Sequence, residues 1–346
     1  MIVTILAIIA IFTGLREKWL KKRKKQKSQK AKTMKEVVAG IDIGGTNTVL
    51  GLTDREGVIL ASDSFETAKY DDGEIFIQDL AKAISNALTD EMKLVGIGIG
   101  CPNANHYAGT MENAPNLKMK GVVPFVKRFK EIFSVPTVLT NDANAAAVGE
   151  MIFGGAKGLK DFFMVTLGTG VGSGFIANGE LIYGHDSFAG ELGHTIIFPE
   201  GRLCGCGRRG CLETYTSASG IAKTFIELTE KHTGQKLENI SSYEVMLEAE
   251  KGNPIAIETF DFTAKILGLA LANTVCITSP SHIFLFGGPV KAGHFLLDPL
   301  KKYMEEYMLF VYKDKVELHV SELLDKNVAI LGAAALVWNE ICCEKM

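Results

Sequence analysis

The sequence contains no Gly-Lys-Ser or Gly-Lys-Thr. A P-loop needs that lysine and hydroxyl behind its glycines, so it is excluded as the means of holding phosphate. The Gly-rich stretch 168–174 (GTGVGSG) runs into an apolar extended segment. A dinucleotide fingerprint needs a helix there, so NAD is disfavoured. Cysteine is an odd set of seven in 346 residues, which argues against a secreted disulfide framework. The net charge of −3 conceals an acidic body: residues 34–346 carry 27 Lys/Arg against 39 Asp/Glu, or −12. A broad nucleic-acid-binding face is not expected on such a surface. With 47% apolar and 22% charged residues the chain can form a core, and disorder throughout is excluded.

The apolar run that opens the sequence is short of what a membrane requires. Residues 1–15 (MIVTILAIIAIFTGL) are apolar, but a spanning helix needs about 20. Ten Lys/Arg and one acid give segment 1–33 a charge of +9, and the basic run follows the apolar one. A secretory signal has the opposite order. Segment 1–33 is therefore read as an extension outside the working body, either an upstream-extended start or a tail. A membrane tether with a cytosolic body is the other reading, under the positive-inside rule.

Glycine is abundant, 36 residues, against an average usage of about 7%. Tight turns and close backbone–ligand contacts use this residue. Apolar spacing predicts strands at 36–43, 48–53, 58–62, 94–100 and 136–140, with helices at 74–92, 122–133 and 143–153. A second series follows: strands at 161–167, 282–286 and 315–320, and helices at 213–250, 254–277, 296–307 and 327–341. Offset by 124 positions, Ile41-Asp42-Ile43-Gly44 matches Val165-Thr166-Leu167-Gly168, and a Gly/Thr-rich turn follows each. This points to an internal duplication: two similar α/β halves, 34–142 and 143–346, facing a cleft.

The two turns are candidate phosphate cradles. Asp42, Gly44, Gly45, Thr46 and Asn47 form one, and Gly168, Thr169 and Gly170 the other. Glycines let the backbone N–H groups approach phosphate oxygens, and Thr46 adds a hydroxyl. Asp42 is a candidate to hold a water on Mg²⁺. Each turn taken alone is also what an ordinary β-turn looks like.

His194, Cys204, Cys206 and Cys211 follow the spacing H-x₉-C-x-C-x₄-C. One imidazole and three thiolates suit tetrahedral Zn²⁺, and so closed a site is structural. Glu191 and Glu213 flank this cluster in sequence. An ion there would fix two carboxylates near one spot, where they accept hydrogen bonds from vicinal hydroxyls such as a sugar's. Asn141-Asp142 stands where a strand ends and a helix begins, the side of α/β sheets where ligands gather. Asp142 has two readings: the helix N-cap, or a carboxylate that accepts a hydroxyl proton during phosphoryl transfer. The histidines 106, 185, 232, 282 and 294 have no local partner pattern and read as ordinary polar residues.

With these residues in hand, the chain resembles the ROK family (repressors, open reading frames and sugar kinases) of the actin/hexokinase-like superfamily. The match runs from about Val37 to Leu336. Its specific part is 190–217 (GELGHTIIFPEGRLCGCGRRGCLETYTS), which carries the E-x-G-H and C-x-C-G-x-x-G-C-x-E elements. IDIGGT, NDANAAA, LGTGVGSG and FGGP agree in order. The resemblance implies two actin-like (ribonuclease H-like) α/β domains, with the last helix packing back on the first. It implies an ATP-dependent hexose kinase, cytoplasmic and commonly a dimer or tetramer. By the same resemblance Asp142 is the general base, and Asn116, Asn141, Glu191, His194 and Glu213 contact the sugar. His194 would have one ring nitrogen on zinc and the other toward the sugar. Gly287 and Gly288 would form the adenosine-side turn. Glucose is the implied substrate, with an N-acyl-hexosamine or fructose as alternatives. Many members have Pro-Gly where this chain has Pro102-Asn103 after Cys101, a loop that borders the sugar. A sugar-responsive repressor is the remaining alternative. ROK repressors carry an N-terminal helix-turn-helix domain, for which 1–33 is too short.

Overall fold

The computed structural model describes residues 34–343; the readings made for 1–33 lie outside the described residues. The first half runs β1 (Lys35–Ile43), β2 (Asn47–Thr53), β3 (Ile59–Glu66), α1 (Gly73–Ala87) and β4 (Met92–Gly100). Three short strands follow, β5 (Ala104–Asn105), β6 (Thr110–Glu112) and β7 (Val122–Val123), then α2 (Phe125–Phe133), β8 (Thr137–Thr140) and α3 (Asp142–Phe153). The second half opens with β9 (Phe162–Leu167), β10 (Val171–Ala177) and β11 (Glu180–Leu181). Helices α4 (Glu213–Thr216), α5 (Ala218–Thr233), α6 (Ser242–Glu250) and α7 (Pro254–Thr278) precede β12 (His282–Phe286). The chain closes with α8 (His294–Tyr307), β13 (Glu317–Val320) and α9 (Val328–Cys343).

The two halves repeat one plan. The sheets are ordered β3-β2-β1-β4-β8 and β11-β10-β9-β12-β13. In each, the central strand pairs antiparallel with the next strand in sequence and parallel with the strand on its other side. Ile41 on β1 and Val165 on β9 occupy equivalent central positions, at the offset of 124 read in the sequence.

Alternating side chains split the apolar residues into three cores. Val37, Ala39, Ile41 and Ile43 face outward with α1 and α2, whereas Val38 faces the middle. Phe163, Val165 and Leu167 face α5, α7 and α8, whereas Phe162 and Met164 face the middle. Each fully buried side chain of this size contributes about 1.5–3 kcal/mol. The 25-residue α7 is long and apolar enough to cross a membrane, but its apolar side chains build the outer core of the second half. The middle layer consists of α3 and α9. Helix α9 lies directly on the first sheet, because a Cβ on Gly98 would stand 1.8 Å from the Ala333 carbonyl and one on Gly40 2.2 Å from that of Ile330.

Three predicted helices are shorter than their apolar spacing implied. The 74–92 helix ends at Ala87, and Met92 instead pairs with Lys35 to extend the sheet. The 122–133 helix starts at Phe125, since Pro124 at its N-cap disfavours helical geometry before it and Val122-Val123 pairs with β6. The 213–250 helix divides into three, at the Ser217 cap, the left-handed Gly234 and the Ser241–Glu244 capping box.

Candidate active site

Parallel strands that end on one side present their following loops together. Asp42 near the end of β1, Asn141-Asp142 after β8, Thr166-Leu167 on β9 and Gly287-Gly288 after β12 line one cleft of about 680 Å³. Asn116, Gly168, Thr169, Gly170, Glu191 and Glu213 line it too, so both halves contribute.

The start of α3 removes one reading of Asp142, the helix N-cap. Asn141 is the N-cap: its Oδ1 accepts the Asn144 N–H at 2.6 Å. Asp142 is the first helical residue, exposed to the cleft. Its Oδ1 accepts the N–H of Ala143 at 2.9 Å. The protein crowds this carboxyl closely, and the loss of water raises its pKa. Solvent in the open cleft moderates that effect. The neighbouring Asp42 is pushed up to about 7, first by burial and second by the charge of Asp142.

Both Gly/Thr turns use their first glycine internally. The Gly44 N–H donates to the Asn47 carbonyl and the Gly168 N–H to the Gly170 carbonyl, each at 3.0 Å. These two residues contribute bare backbone rather than donors. Gly44, Gly45, Thr46 and Asn47 stand outside the lining of the cleft, unlike Asp42 before them. Gly45 instead abuts Asn116, whose carbonyl oxygen would be 3.2 Å from a Cβ.

The cysteine loop lies beside the cleft. The Nδ1 of His194 and the sulfurs of Cys204, Cys206 and Cys211 offer ligand atoms within 4.8 Å of one another. Cys206 Sγ and Cys211 Sγ are 3.6 Å apart, and Cys204 Sγ is 3.7 Å from His194 Nδ1. Ligands at about 2.0–2.3 Å around a tetrahedral zinc fall at such separations, so these residues fit the ion. Arg208 brings the Cys206 thiol down to about 6, while burial pushes Cys204 and Cys211 up. His194 stands between the two carboxylates: Nε2 is 3.9 Å from Glu191 and Nδ1 3.7 Å from Glu213.

The ROK family profile matches residues 38–340. The chain belongs to the ROK family. A glucokinase of Halalkalibacterium halodurans is 34% identical over 311 residues, 86% of this chain and 94% of that enzyme. A solved ROK family glucokinase from Streptomyces griseus, in complex with glucose and AMPPNP, superposes with a TM-score of 0.71 at 29% identity, covering 87% of this chain and 98% of that one. A xylose repressor of Bacillus spizizenii is 30% identical, covering 86% of this chain and 76% of the repressor.

Within this ROK fold, sequence reasoning missed residues that meet only in space. His106, read as an ordinary polar residue without a local partner pattern, is half-buried among partners distant in sequence. It stacks on Tyr183 at 3.7 Å between centroids, and its Nδ1 lies 3.0 Å from the Leu139 carbonyl oxygen. Burial lowers its pKa. The backbone N–H of His106 donates to Ser187 Oγ, and Tyr107 Oη donates to the Gly184 carbonyl, so this loop ties the halves together beside the cleft. Asn103, Thr166 and Ser173 line the cleft as well. Only Asn103 had a signal, its place in the loop after the strand ending at Gly100.

Proposed function

We propose that this chain is an ATP-dependent hexose kinase that converts glucose and ATP to glucose 6-phosphate and ADP. One observation carries the reading: Asn141 takes the helix cap, which leaves the Asp142 carboxylate in a cleft lined by the second Gly/Thr turn and by three further carboxylates, Asp42, Glu191 and Glu213. Glu191, His194, Glu213, Asn116 and the amide nitrogen of Asn141 bind the sugar hydroxyls. Asp142 accepts the proton of the 6-hydroxyl as its oxygen attacks the γ-phosphorus, and the bond to the β-phosphate oxygen breaks. Backbone N–H groups of Gly45, Thr46, Thr169 and Gly170 orient the phosphates, with Gly287-Gly288 on the adenosine side. Asp42 would hold Mg²⁺ through water, and the ion would supply neutralisation of phosphate charge. His194, Cys204, Cys206 and Cys211 would hold a structural zinc, which would fix His194 and the neighbouring Glu213 in place. A cytoplasmic body is part of this reading.

A coupled assay with ATP and a panel of hexoses and N-acyl-hexosamines tests this. Turnover highest on glucose is expected; turnover on none of them overturns it. The xylose repressor relative raises a second reading, sugar binding without turnover. Glucose binding with no ADP release would favour that reading.

A further inference from the structure

The imidazoles of His282 and His319 and the carboxylate of Glu317 share one face of β12 and β13. The parallel register pairs His282 with Glu317 and Phe284 with His319. Period-two alternation puts all four side chains on that face. The place is the N-terminal end of β12, the opposite end from Gly287-Gly288 and the cleft. Nε2 of His282 is 3.9 Å, and Nε2 of His319 3.0 Å, from Glu317 Oε2. One ligand atom from each of the three residues lies within 4.8 Å of the others.

The tautomer of His282 follows from its neighbours. Ser281 Oγ donates its single proton to the Asp161 carbonyl at 2.8 Å. It therefore accepts from His282 Nδ1–H, also at 2.8 Å. The Nε2 lone pair of His282 is left bare and faces Glu317. A ligating histidine commonly has its other nitrogen held by such a hydrogen bond. The rings are also held in plane: His282 and His319 stack at 5.4 Å and 21°, with Phe284 against both. Side-chain exposures of 22%, 66% and 42% for His282, Glu317 and His319 leave the group open to solution.

We propose that His282, Glu317 and His319 form a second transition-metal site, for a borderline divalent ion such as Zn²⁺ or Ni²⁺. Two imidazoles and a carboxylate are the ligand types that such ions take, with remaining positions for water. On binding, His319 adopts the tautomer with its proton on Nδ1, so no proton need leave. The ion clamps edge strand β13 to β12.

The test titrates Ni²⁺ into tag-free full-length protein by calorimetry. Wild type, His282→Ala, His319→Ala and Cys206→Ser are compared, with thermal melts to confirm folding. Wild type and Cys206→Ser are expected to share one Ni²⁺ equivalent that binds at least tenfold more weakly in both histidine variants. Bound Cu²⁺ should show hyperfine coupling to two imidazole nitrogens in wild type. Unchanged affinity and stoichiometry in His282→Ala and His319→Ala would overturn the proposal, as would loss of that equivalent in Cys206→Ser. The result does not depend on the kinase reading, since the readout is metal binding alone.

Discussion

The carboxylate of Glu213 rests against Gly170. A Cβ on that glycine would stand 2.7 Å from Glu213 Oε2, and the same oxygen accepts the Val171 N–H at 3.4 Å. The second Gly/Thr turn and the cysteine loop thus meet at one atom. Gly170→Ala would displace the far end of a flexible side chain rather than backbone, so little stability is at stake. The cost falls on where the carboxylate points. We expect Gly170→Ala to melt within about 1 °C of wild type, a shift worth under about 1 kcal/mol, while its sugar KM rises about tenfold or more. An unchanged KM would remove Glu213 from the sugar site.

Asn141 and Asp142 are adjacent and separable. Removing a side-chain N-cap costs about 1 kcal/mol, so Asn141→Ala should lower the melting temperature. Asp142→Asn has no cap to lose. It should fold as wild type does and lose turnover by about a thousandfold, within the range that general-base catalysis supplies. Chemical denaturation together with steady-state kinetics on both variants checks this. Wild-type-like turnover in Asp142→Asn would end its assignment as the base.

Much of this arrangement could be read before folding was considered. The 124-residue offset reappears as equivalent central strands, β1 and β9, in two sheets of one order. The cysteine spacing reappears as four ligand atoms around one point. These features are local, or repeat at a fixed interval, so linear spacing carries them. His106 against Tyr183, Glu213 against Gly170 and His282 against His319 have no such signal. Each is a contact between side chains that only sheet register or the packing of one half on the other brings together. The cap read at Asp142 falls instead on Asn141 for a different reason: Asn and Asp are both strong N-caps, and only backbone geometry decides which residue precedes the first turn.

Asp42 makes stability depend on pH in a direction opposite to that of a salt-bridged aspartate. Its folded pKa of about 7 lies above the ordinary 3.8, so the folded state binds the extra proton. Stability relative to the unfolded chain is highest below pH 4 for this group and falls as pH rises from about 4 to 7. Without added metal, Asp42→Asn should therefore melt above wild type at pH 8, and the gap should close toward pH 5. A gap of the same size at both pH values would contradict a buried, ionising Asp42. The raised pKa of Asp142 acts on catalysis with a related sign. A base must be ionised, so the acid limb of kcat/KM should lie above the ordinary aspartate range.

Glu150 is fully buried in α3 and joins that helix to the segment after β13. Its carboxylate accepts from Gly155 N–H at 2.8 Å, Ser321 Oγ at 2.5 Å and Glu322 N–H at 3.1 Å. Glu150→Ala leaves three donors facing a void. A loss of roughly 3–5 kcal/mol is expected, read as a lower midpoint in urea. Glu150→Gln keeps one acceptor oxygen and should lose less. Equal midpoints for Glu150→Ala and wild type would show that these bonds add nothing to folding.

His194 stands between the cysteine loop and a carboxylate of the cleft, 3.7 Å from Cys204 Sγ on the Nδ1 side and 3.9 Å from Glu191 on the Nε2 side. A ligand ion on Nδ1 would fix the ring and hold Nε2 toward the cleft. Without it, the Cys204 thiol donates to Glu213 Oε1, at 3.0 Å, and so occupies an oxygen that a sugar hydroxyl would need. Removal of zinc by a chelator, or Cys206→Ser, should therefore raise the sugar KM about tenfold or more, while the ATP KM changes less. Metal outer-ligand changes of 10- to 100-fold set the scale. Measuring both KM values and the bound zinc in the same preparations decides the matter. Equal loss of affinity for both substrates would mean that the loop supports only the fold, and full activity without zinc would mean that it supports neither.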